Sequence, residues 1–416
     1  MTPVPRGAWP GLLVALGLLL ALLPSGAGAQ TPRPPRISAP AAILVEPATG
    51  DVVFARRADA RRPVASTTKL MTALLALERL KLDDVLVQVP YRAAPAESIA
   101  GFRAGERVTV RDELRALLLA SANDAAATLA VRVSGSRVRF VEEMNARARA
   151  LGLTSTSYAN PVGLDDPKSH SSAADLVKLT LVLRTNAFFR TTVDLPRVTI
   201  RSGAFPRTFV NRNTLVRSTP AVNGVKTGRT SRAGFVLVGS ASRKGITVVS
   251  AVLGTQSDAA RNADTLALLR YGLGRYTRRT MVRRGRELGR AALRHRDSSV
   301  ALVAGASVVR TARRGERVAT RVVGAPAELD GPLRRGARVG VVEVSQRGEI
   351  VARVPLITAA AVAEASTADR LSELAGQGWT VVLLVVCVLG SLLVVVLRRR
   401  TRRRARPARA RGVEPA

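Results

Sequence analysis

The sequence predicts an α/β (α+β) body followed by a small all-β domain and a C-terminal transmembrane helix, and three observations carry that reading. Apolar residues recur at helical spacing between Ser66 and Leu151, and β-prone runs lie on either side of that region. From about Val300 only short β-prone runs with Gly and Pro breaks remain. Trp379 to Leu397 is a 19-residue stretch without charge, which as a helix spans roughly 28 Å and matches the hydrocarbon core of a bilayer.

In chain order, the first 29 residues carry Arg6, a 13-residue apolar stretch from Gly11 to Leu23, Pro24 and the small triplet Ala27-Gly28-Ala29. This is the layout of a secretory signal peptide cleaved before Gln30, since an uncleaved anchor calls for a longer apolar run. After a Pro-rich lead, Ala41 to Val45 and Val52 to Ala55 flank Glu46-Pro47-Ala48-Thr49-Gly50, which is turn chemistry, so they form a hairpin. Leu70, Ala73, Leu74 and Leu77 then repeat at helical spacing, so that Ser66 opens a helix with the neighbouring threonines as caps. Further helices are expected over 111–119, 124–133, 139–151 and 258–271, and strands over 234–238 and 247–253. In the small β domain, 285–357, the clearest hairpin joins 338–344 to 349–356. An Ala-rich juxtamembrane stalk, 358–378, has Ser366 to Asp369 as a capping start.

Nine arginines between Arg398 and Arg411 follow the apolar span, against one acid, Glu414. Positive flanks stay cytoplasmic, so the tail 398–416 is expected inside and the body outside the membrane. The rival reading of that run as a nucleic-acid contact yields to the adjacent span, and no nucleic-acid partner is expected. The formal net charge is +35, from 65 Lys plus Arg against 30 Asp plus Glu. Removing Arg6, the nine tail arginines and Glu414 leaves 55 basic and 29 acidic residues, so the external body retains +26. Such a body tolerates or seeks anionic envelope polymers.

Two histidines, His170 and His295, and one cysteine, Cys387, cannot build a His/Cys metal site, and Cys387 lies inside the span, so no metal, cofactor or disulfide is expected. Only six basic residues are lysines (Lys69, Lys81, Lys168, Lys178, Lys226 and Lys244), leaving 65 − 6 = 59 arginines. A lysine inside a motif is therefore informative.

Ser66-Thr67-Thr68-Lys69 puts a hydroxyl and an amine three residues apart, on one face of a first helical turn. Serine needs a base beside it to act as a nucleophile, and a lysine, unlike an arginine, can lose its proton when burial lowers its pKa. A cap followed by a surface lysine satisfies the same four letters. Two further elements shift that balance. Ser121-Ala122-Asn123 lies at the junction of two helical segments, where a bend can aim a hydroxyl and an amide into a cleft. Lys226-Thr227-Gly228 precedes a strand-like run, with a glycine that lets a substrate backbone approach closely. Singly these read as a helix cap and a hairpin turn. In this order, S-x-x-K, S-x-N and K-T-G form the serine acyl-transferase set of penicillin-binding proteins and class A β-lactamases.

The stretches Ala65 to Lys69, Leu119 to Ala126, Asn160 to Asp165 and Gly224 to Thr230 resemble the D-alanyl-D-alanine carboxypeptidases among the low-molecular-mass penicillin-binding proteins. The resemblance covers Ala41 to about Tyr276 and makes 30–280 the catalytic domain. It implies a five-stranded antiparallel sheet with a helical cluster, followed by a small β domain. It further implies that Ser66 is the nucleophile, Lys69 its general base and Ser121 the proton relay to the leaving amine. Asn123 would hold the substrate amide, Lys226 would tune the proton network and Thr227 would lie near the substrate carboxylate, with Gly228 beside it. The N–H groups of Arg229 and Ser66 would line the oxyanion hole, and Arg212, in Asn211-Arg212-Asn213, would help to receive the terminal carboxylate. Relatives often attach through an amphipathic C-terminal helix, whereas here a full span makes anchoring permanent.

The reaction implied is removal of the last D-Ala from peptidoglycan stem peptides ending in D-Ala-D-Ala, with β-lactams as inhibitors. A β-lactamase-like hydrolase uses the same motifs but deacylates through a glutamate-bound water, and no glutamate occurs between Asn145 and Lys226. A D,D-endopeptidase shares all three motifs. An inactive wall-binding scaffold fits the charge, but not the intact motif residues.

Overall fold

A computed structural model describes residues 33–376 and 378–404, so the expected signal peptide and the tail beyond 404 lie outside the described residues. The chain forms two compact units, 1–277 and 278–416.

The first unit opens on strands β1 (Ala41–Glu46) and β2 (Asp51–Arg56), paired antiparallel so that Val45 faces Val52 and Glu46 faces Asp51. The Glu46 carboxylate accepts from the Ala48 and Thr49 N–H groups and the Thr49 hydroxyl, which ties the turn. Ala65–Thr68 forms a 3-10 turn leading into helix α1 (Lys69–Arg79). Ser66 therefore lies in that turn rather than at the start of the α-helix. Neither threonine caps it, and Thr67 instead donates to the Val64 carbonyl.

Strands β3 (Val85–Val87) and β4 (Arg107–Thr109) pair before helix α2 (Val110–Arg115), which passes into a π-turn over Ala116–Ala120. Helices α3 (Asn123–Ser134) and α4 (Arg137–Ala150) follow where the periodicity places them. Helices α5 (Ala173–Leu183) and α6 (Ala187–Asp194), the pair β5 (Arg197–Ile200) and β6 (Arg207–Val210), and the short α7 (Thr214–Ser218) add elements that periodicity does not single out. Three strands then run in succession: β7 (Val222–Thr230), β8 (Gly234–Arg243) and β9 (Ile246–Thr255). Helix α8 (Asp258–Arg275) ends the region.

The main sheet has the order β2-β1-β9-β8-β7 and is antiparallel throughout. One apolar layer, including Val238, Val249 and Ala251, packs against the helical cluster of α1 to α6. The other, including Leu44, Leu237 and Val252, packs against Leu268 and Leu269 of α8. Asp264 of α8 accepts from the N–H groups of Ser38 and Ala39 and from the Ser38 hydroxyl, pinning the entry to β1. Strand β7 stands at the sheet edge, so the K-T-G residues lie within an edge strand rather than in a hairpin turn.

The second unit pairs β10 (Tyr276–Val282) with β13 (Val308–Arg313). A six-stranded sheet gathers β11 (Glu287–Leu293), β12 (Arg296–Ala304), β14 (Val318–Val323), β15 (Glu328–Leu329), β16 (Arg338–Gln346) and β17 (Glu349–Thr358). The β16–β17 hairpin closes with Gln346 opposite Glu349. Helix α9 (Thr367–Gly376) starts with reciprocal bonds, Ser366 N–H to the Asp369 carboxylate and Asp369 N–H to the Ser366 hydroxyl, which is a capping box. Helix α10 (Gly378–Arg404) contains a span, Val381–Thr401, long and apolar enough to cross a membrane, with its apolar side chains exposed.

Candidate active site

The 3-10 turn carries Ser66, and Ala65 just before it adopts a left-handed φ of 49°. Side chains rarely hold that conformation unless packing imposes it. Packing imposes it here from two sides. A Cβ on Gly163 (φ +82°) would lie 2.1 Å from the Ala65 carbonyl oxygen, and one on Gly228 would lie 2.9 Å from the Val64 oxygen and 3.1 Å from the Ser66 nitrogen. Two glycines therefore let the 160–164 loop and strand β7 close on the turn.

Lys69 is fully buried and donates from Nζ to Ser66 Oγ at 3.1 Å and to the Val162 carbonyl at 2.5 Å. Thr72, one turn on, donates to the Pro161 carbonyl at 2.7 Å, and Asn160 Oδ1 accepts from the Val162, Gly163 and Leu164 N–H groups. The loop is thus stitched to α1 at Pro161 and Val162 and braced internally by Asn160. Burial pushes the Lys69 amine down to about 7; the Arg212 cation adds to the lowering, whereas Glu97 and Asp124 oppose it. A neutral amine at hydrogen-bond distance from a serine hydroxyl can take its proton.

The Ser121 motif lies where the π-turn ends. Ser121 takes a left-handed φ of 63°, and its buried Oγ makes no hydrogen bond among the described residues. An unsatisfied buried hydroxyl costs about 1–3 kcal/mol, a cost removed when substrate supplies a partner. Asn123 donates from Nδ2 to Glu97 Oε2 at 2.6 Å. Glu97 also accepts from the Tyr91 hydroxyl and, at 3.1 Å, from the Ala94 N–H. Partial burial pushes the Glu97 carboxyl up, but these donors outweigh it and hold the group below the usual carboxylate range. The loop that carries Glu97 is clamped by Asp124, whose carboxylate accepts from the N–H groups of Ala100, Gly101 and Phe102.

On β7, Lys226 is buried and donates to the Thr227 carbonyl at 3.0 Å. Burial, then the cations of Lys69, Arg212 and Arg261, hold its amine well below the ordinary lysine value. Arg212 is exposed, and its N–H bonds the Leu119 carbonyl beside the Ser121 bend. Its neighbour Asn213 donates to the Gly224 carbonyl at 2.9 Å, so Asn211-Arg212-Asn213 bridges the bend to β7. Arg229 is exposed and lies over the Phe235 ring.

The structure therefore links Ser66 to Lys69 by a hydrogen bond, sets Gly228 against the Ser66 turn, and brings Lys226, Arg212 and the Asn123 partner Glu97 within electrostatic reach of Lys69, while Ser121 joins them through the bend that Arg212 bonds. The motifs do not point to Glu97, Tyr91, the Val162 carbonyl or Arg261. Glu97 lies in an Ala-rich loop 26 residues before its partner, and a backbone carbonyl has no side-chain signature at all.

A family model described as D-alanyl-D-alanine carboxypeptidase matches residues 28–257, and one described as the penicillin-binding protein 5 C-terminal domain matches 276–364. The D-alanyl-D-alanine carboxypeptidase DacD of Escherichia coli is 31% identical over 382 residues, covering 87% of this chain and 97% of that protein. Among solved structures, penicillin binding protein 5 from Haemophilus influenzae is 28% identical, with TM-score 0.59 over 80% of this chain and all of the other. The Streptomyces K15 DD-transpeptidase is 33% identical, with TM-score 0.56 over 58% of this chain and 99% of the other.

Replacing Gly228 by Ala forces β7 away from the Ser66 turn by a few tenths of an ångström. The variant should keep the melting temperature of the parent within a few degrees, yet lose about 10-fold in the rate of covalent labelling by penicillin, because small misplacements of reacting groups are costly.

Proposed function

The chain belongs to the D-alanyl-D-alanine carboxypeptidase family and is a serine-type carboxypeptidase; from that premise we propose that it trims the terminal D-Ala from peptidoglycan stem peptides through an acyl-Ser66 intermediate. The observation that carries the reading is the 3.1 Å bond between Ser66 Oγ and a buried Lys69 amine whose pKa lies near neutrality.

In this mechanism Lys69 Nζ takes the Ser66 proton as Oγ attacks the carbonyl of the penultimate D-Ala. The N–H groups of Ser66 and Arg229 receive the oxyanion, a contribution worth about 100- to 1,000-fold per donor in comparable sites. Thr227 and Arg212 hold the terminal carboxylate, and Lys226, whose proton affinity burial and the neighbouring cations lower, tunes the proton network beside them. Asn123, with Nδ2 committed to Glu97, accepts a substrate N–H at Oδ1. The C–N bond breaks as Ser121 passes the proton to the leaving amine, which departs as D-alanine. Water then attacks the ester as Lys69 takes its proton, and Lys69 returns that proton to Ser66 Oγ as the ester C–O bond breaks and the shortened stem peptide leaves as a carboxylic acid.

Covalent labelling with penicillin, followed by peptide mapping, tests the assignment. The adduct should map to Ser66, and Lys69→Arg should abolish labelling although the positive charge is kept, because guanidinium is no base near neutral pH. An adduct elsewhere, or normal labelling of the arginine variant, overturns the roles given to this pair.

The pH dependence has a defined sign. Lys69 is competent only when neutral, so the acylation rate should fall as pH drops through about 7. The Glu97 and Asp124 carboxylates raise the Lys69 pKa, and the Arg212 cation lowers it. Glu97→Gln should therefore move the acid limb to lower pH, and Arg212→Gln should move it to higher pH. Stopped-flow acylation between pH 5 and 9 reads both shifts.

Outside the catalytic unit, the proposed arrangement is a signal peptide over 1–29, the small β domain over 285–357, a stalk over 358–378, a span over 379–397 and a cytoplasmic tail from 398. The exposed apolar surface of α10 and the arginines after it support single-pass anchoring with the body outside. Protease added to intact spheroplasts should digest the body and spare an epitope placed at Ala416. Loss of that epitope reverses the orientation.

A further inference from the structure

A polar cavity of about 600 Å³ adjoins the cleft, lined by Arg62, by Ala96, by residues 229–235 of the β7–β8 hairpin and by Gly254 to Gln256 at the end of β9. Its lining residues lie close in sequence to the residues of the site. Arg62 precedes Ser66 by four residues, Ala96 is next to the Glu97 that holds Asn123, and Arg229 follows Gly228.

Three arginines, Arg62, Arg229 and Arg232, line this cavity, Arg229 lying over the Phe235 ring that also lines it, and none of the three is ion-paired among the described residues. The nearby carboxylate, Asp165, is occupied by the hairpin itself, accepting from the Thr230 hydroxyl at 2.7 Å and the Arg232 N–H at 3.2 Å. Arg62 is seated rather than dangling. A Cβ on Gly254 would come within 2.7 Å of its Nη2, so the glycine leaves room for the guanidinium. Hydroxyl and amide groups of Ser231 and Gln256 complete a lining suited to an oxygen anion.

The direction of the substrate fixes what would reach it. With the terminal carboxylate at Thr227 and the scissile carbonyl at the N–H of Arg229, the acyl half of the peptide continues past Arg229 toward Thr230 to Arg232. We propose that this cavity is a subsite for a carboxylate carried by the acyl half of the stem peptide, upstream of the penultimate D-alanine, so that the enzyme selects acidic over amidated stems. The proposal rests on the carboxypeptidase reading above and adds the substrate class.

Two soluble peptides ending in D-Ala-D-Ala, identical except for a carboxylate or a carboxamide on the upstream residue, provide the test with the full-length protein in detergent. The parent enzyme should show about a 10-fold higher kcat/KM for the carboxylate form, a ratio that shrinks as salt is raised. Arg62→Gln and Arg232→Gln should each reduce the ratio, and the double variant should bring it to about one, with turnover of the carboxamide peptide and penicillin labelling of Ser66 unchanged. Unchanged labelling also shows that the variants are folded. Equal kcat/KM for the two peptides with the parent enzyme, or an intact preference in the double variant, overturns the subsite. Equal turnover combined with weaker binding of the double variant to isolated walls would give the cavity to a wall polyanion and overturn it as well. Failure of penicillin to label Ser66 in the parent is a separate result, which removes the carboxypeptidase reading on which the subsite rests.

Discussion

An ammonium group taken out of water loses solvation worth several kcal/mol, so a lysine with no exposed surface must be given compensating acceptors or surrender its proton. Lys69 does both: the Val162 carbonyl and the Ser66 hydroxyl receive its N–H groups, and the pKa settles near 7. Much of the catalytic unit follows from that arrangement. The carbonyl is in place only because the 160–164 loop is held by Asn160 and Thr72, and the loop can approach only because residue 163 lacks a Cβ. Gly228 lets β7 close from the other side, which buries Lys226 next to a second amine and lowers its proton affinity in turn.

Charges of both signs surround the site. Glu97 and Asp124 stand on the side of Asn123, each tied to backbone N–H groups, while Arg212, Arg229, Arg232 and Arg62 gather along β7 and its hairpin. A ligand with an anionic end and an amide centre is aligned by such a field before any specific bond forms. The same division tunes the base, because the acids raise and the arginine lowers the proton affinity of Lys69.

The second unit has a different physical character. Its strands bury a compact apolar set around Val342, Val344 and Leu356, and many of its arginines stay exposed. After it, α10 offers an exposed apolar surface long enough to cross a membrane, followed in the sequence by arginines.

Much of this was legible in the residues alone. Apolar β-prone runs around turn residues placed the first hairpin, helical spacing placed α3 and α4, the arginine-flanked apolar stretch marked α10, and three motifs named the candidate site residues. Local rules misjudged Ser66, which occupies a 3-10 turn, and took the threonines for caps, because tertiary contacts of Gly163 and Gly228 override the cap preference there. They also left Lys226-Thr227-Gly228 open as a turn, since edge-strand pairing is a non-local fact. The short helix α7 and the β5–β6 pair lack enough length for a period to show. What the sequence by itself determined was the inventory: a serine, two lysines, an amide and the glycines that let them approach. What only the tertiary structure decided was how they act on one another, because burial, electrostatic coupling and the bonds from Glu97 to Asn123 and from Lys69 to the Val162 carbonyl join residues that lie far apart along the chain.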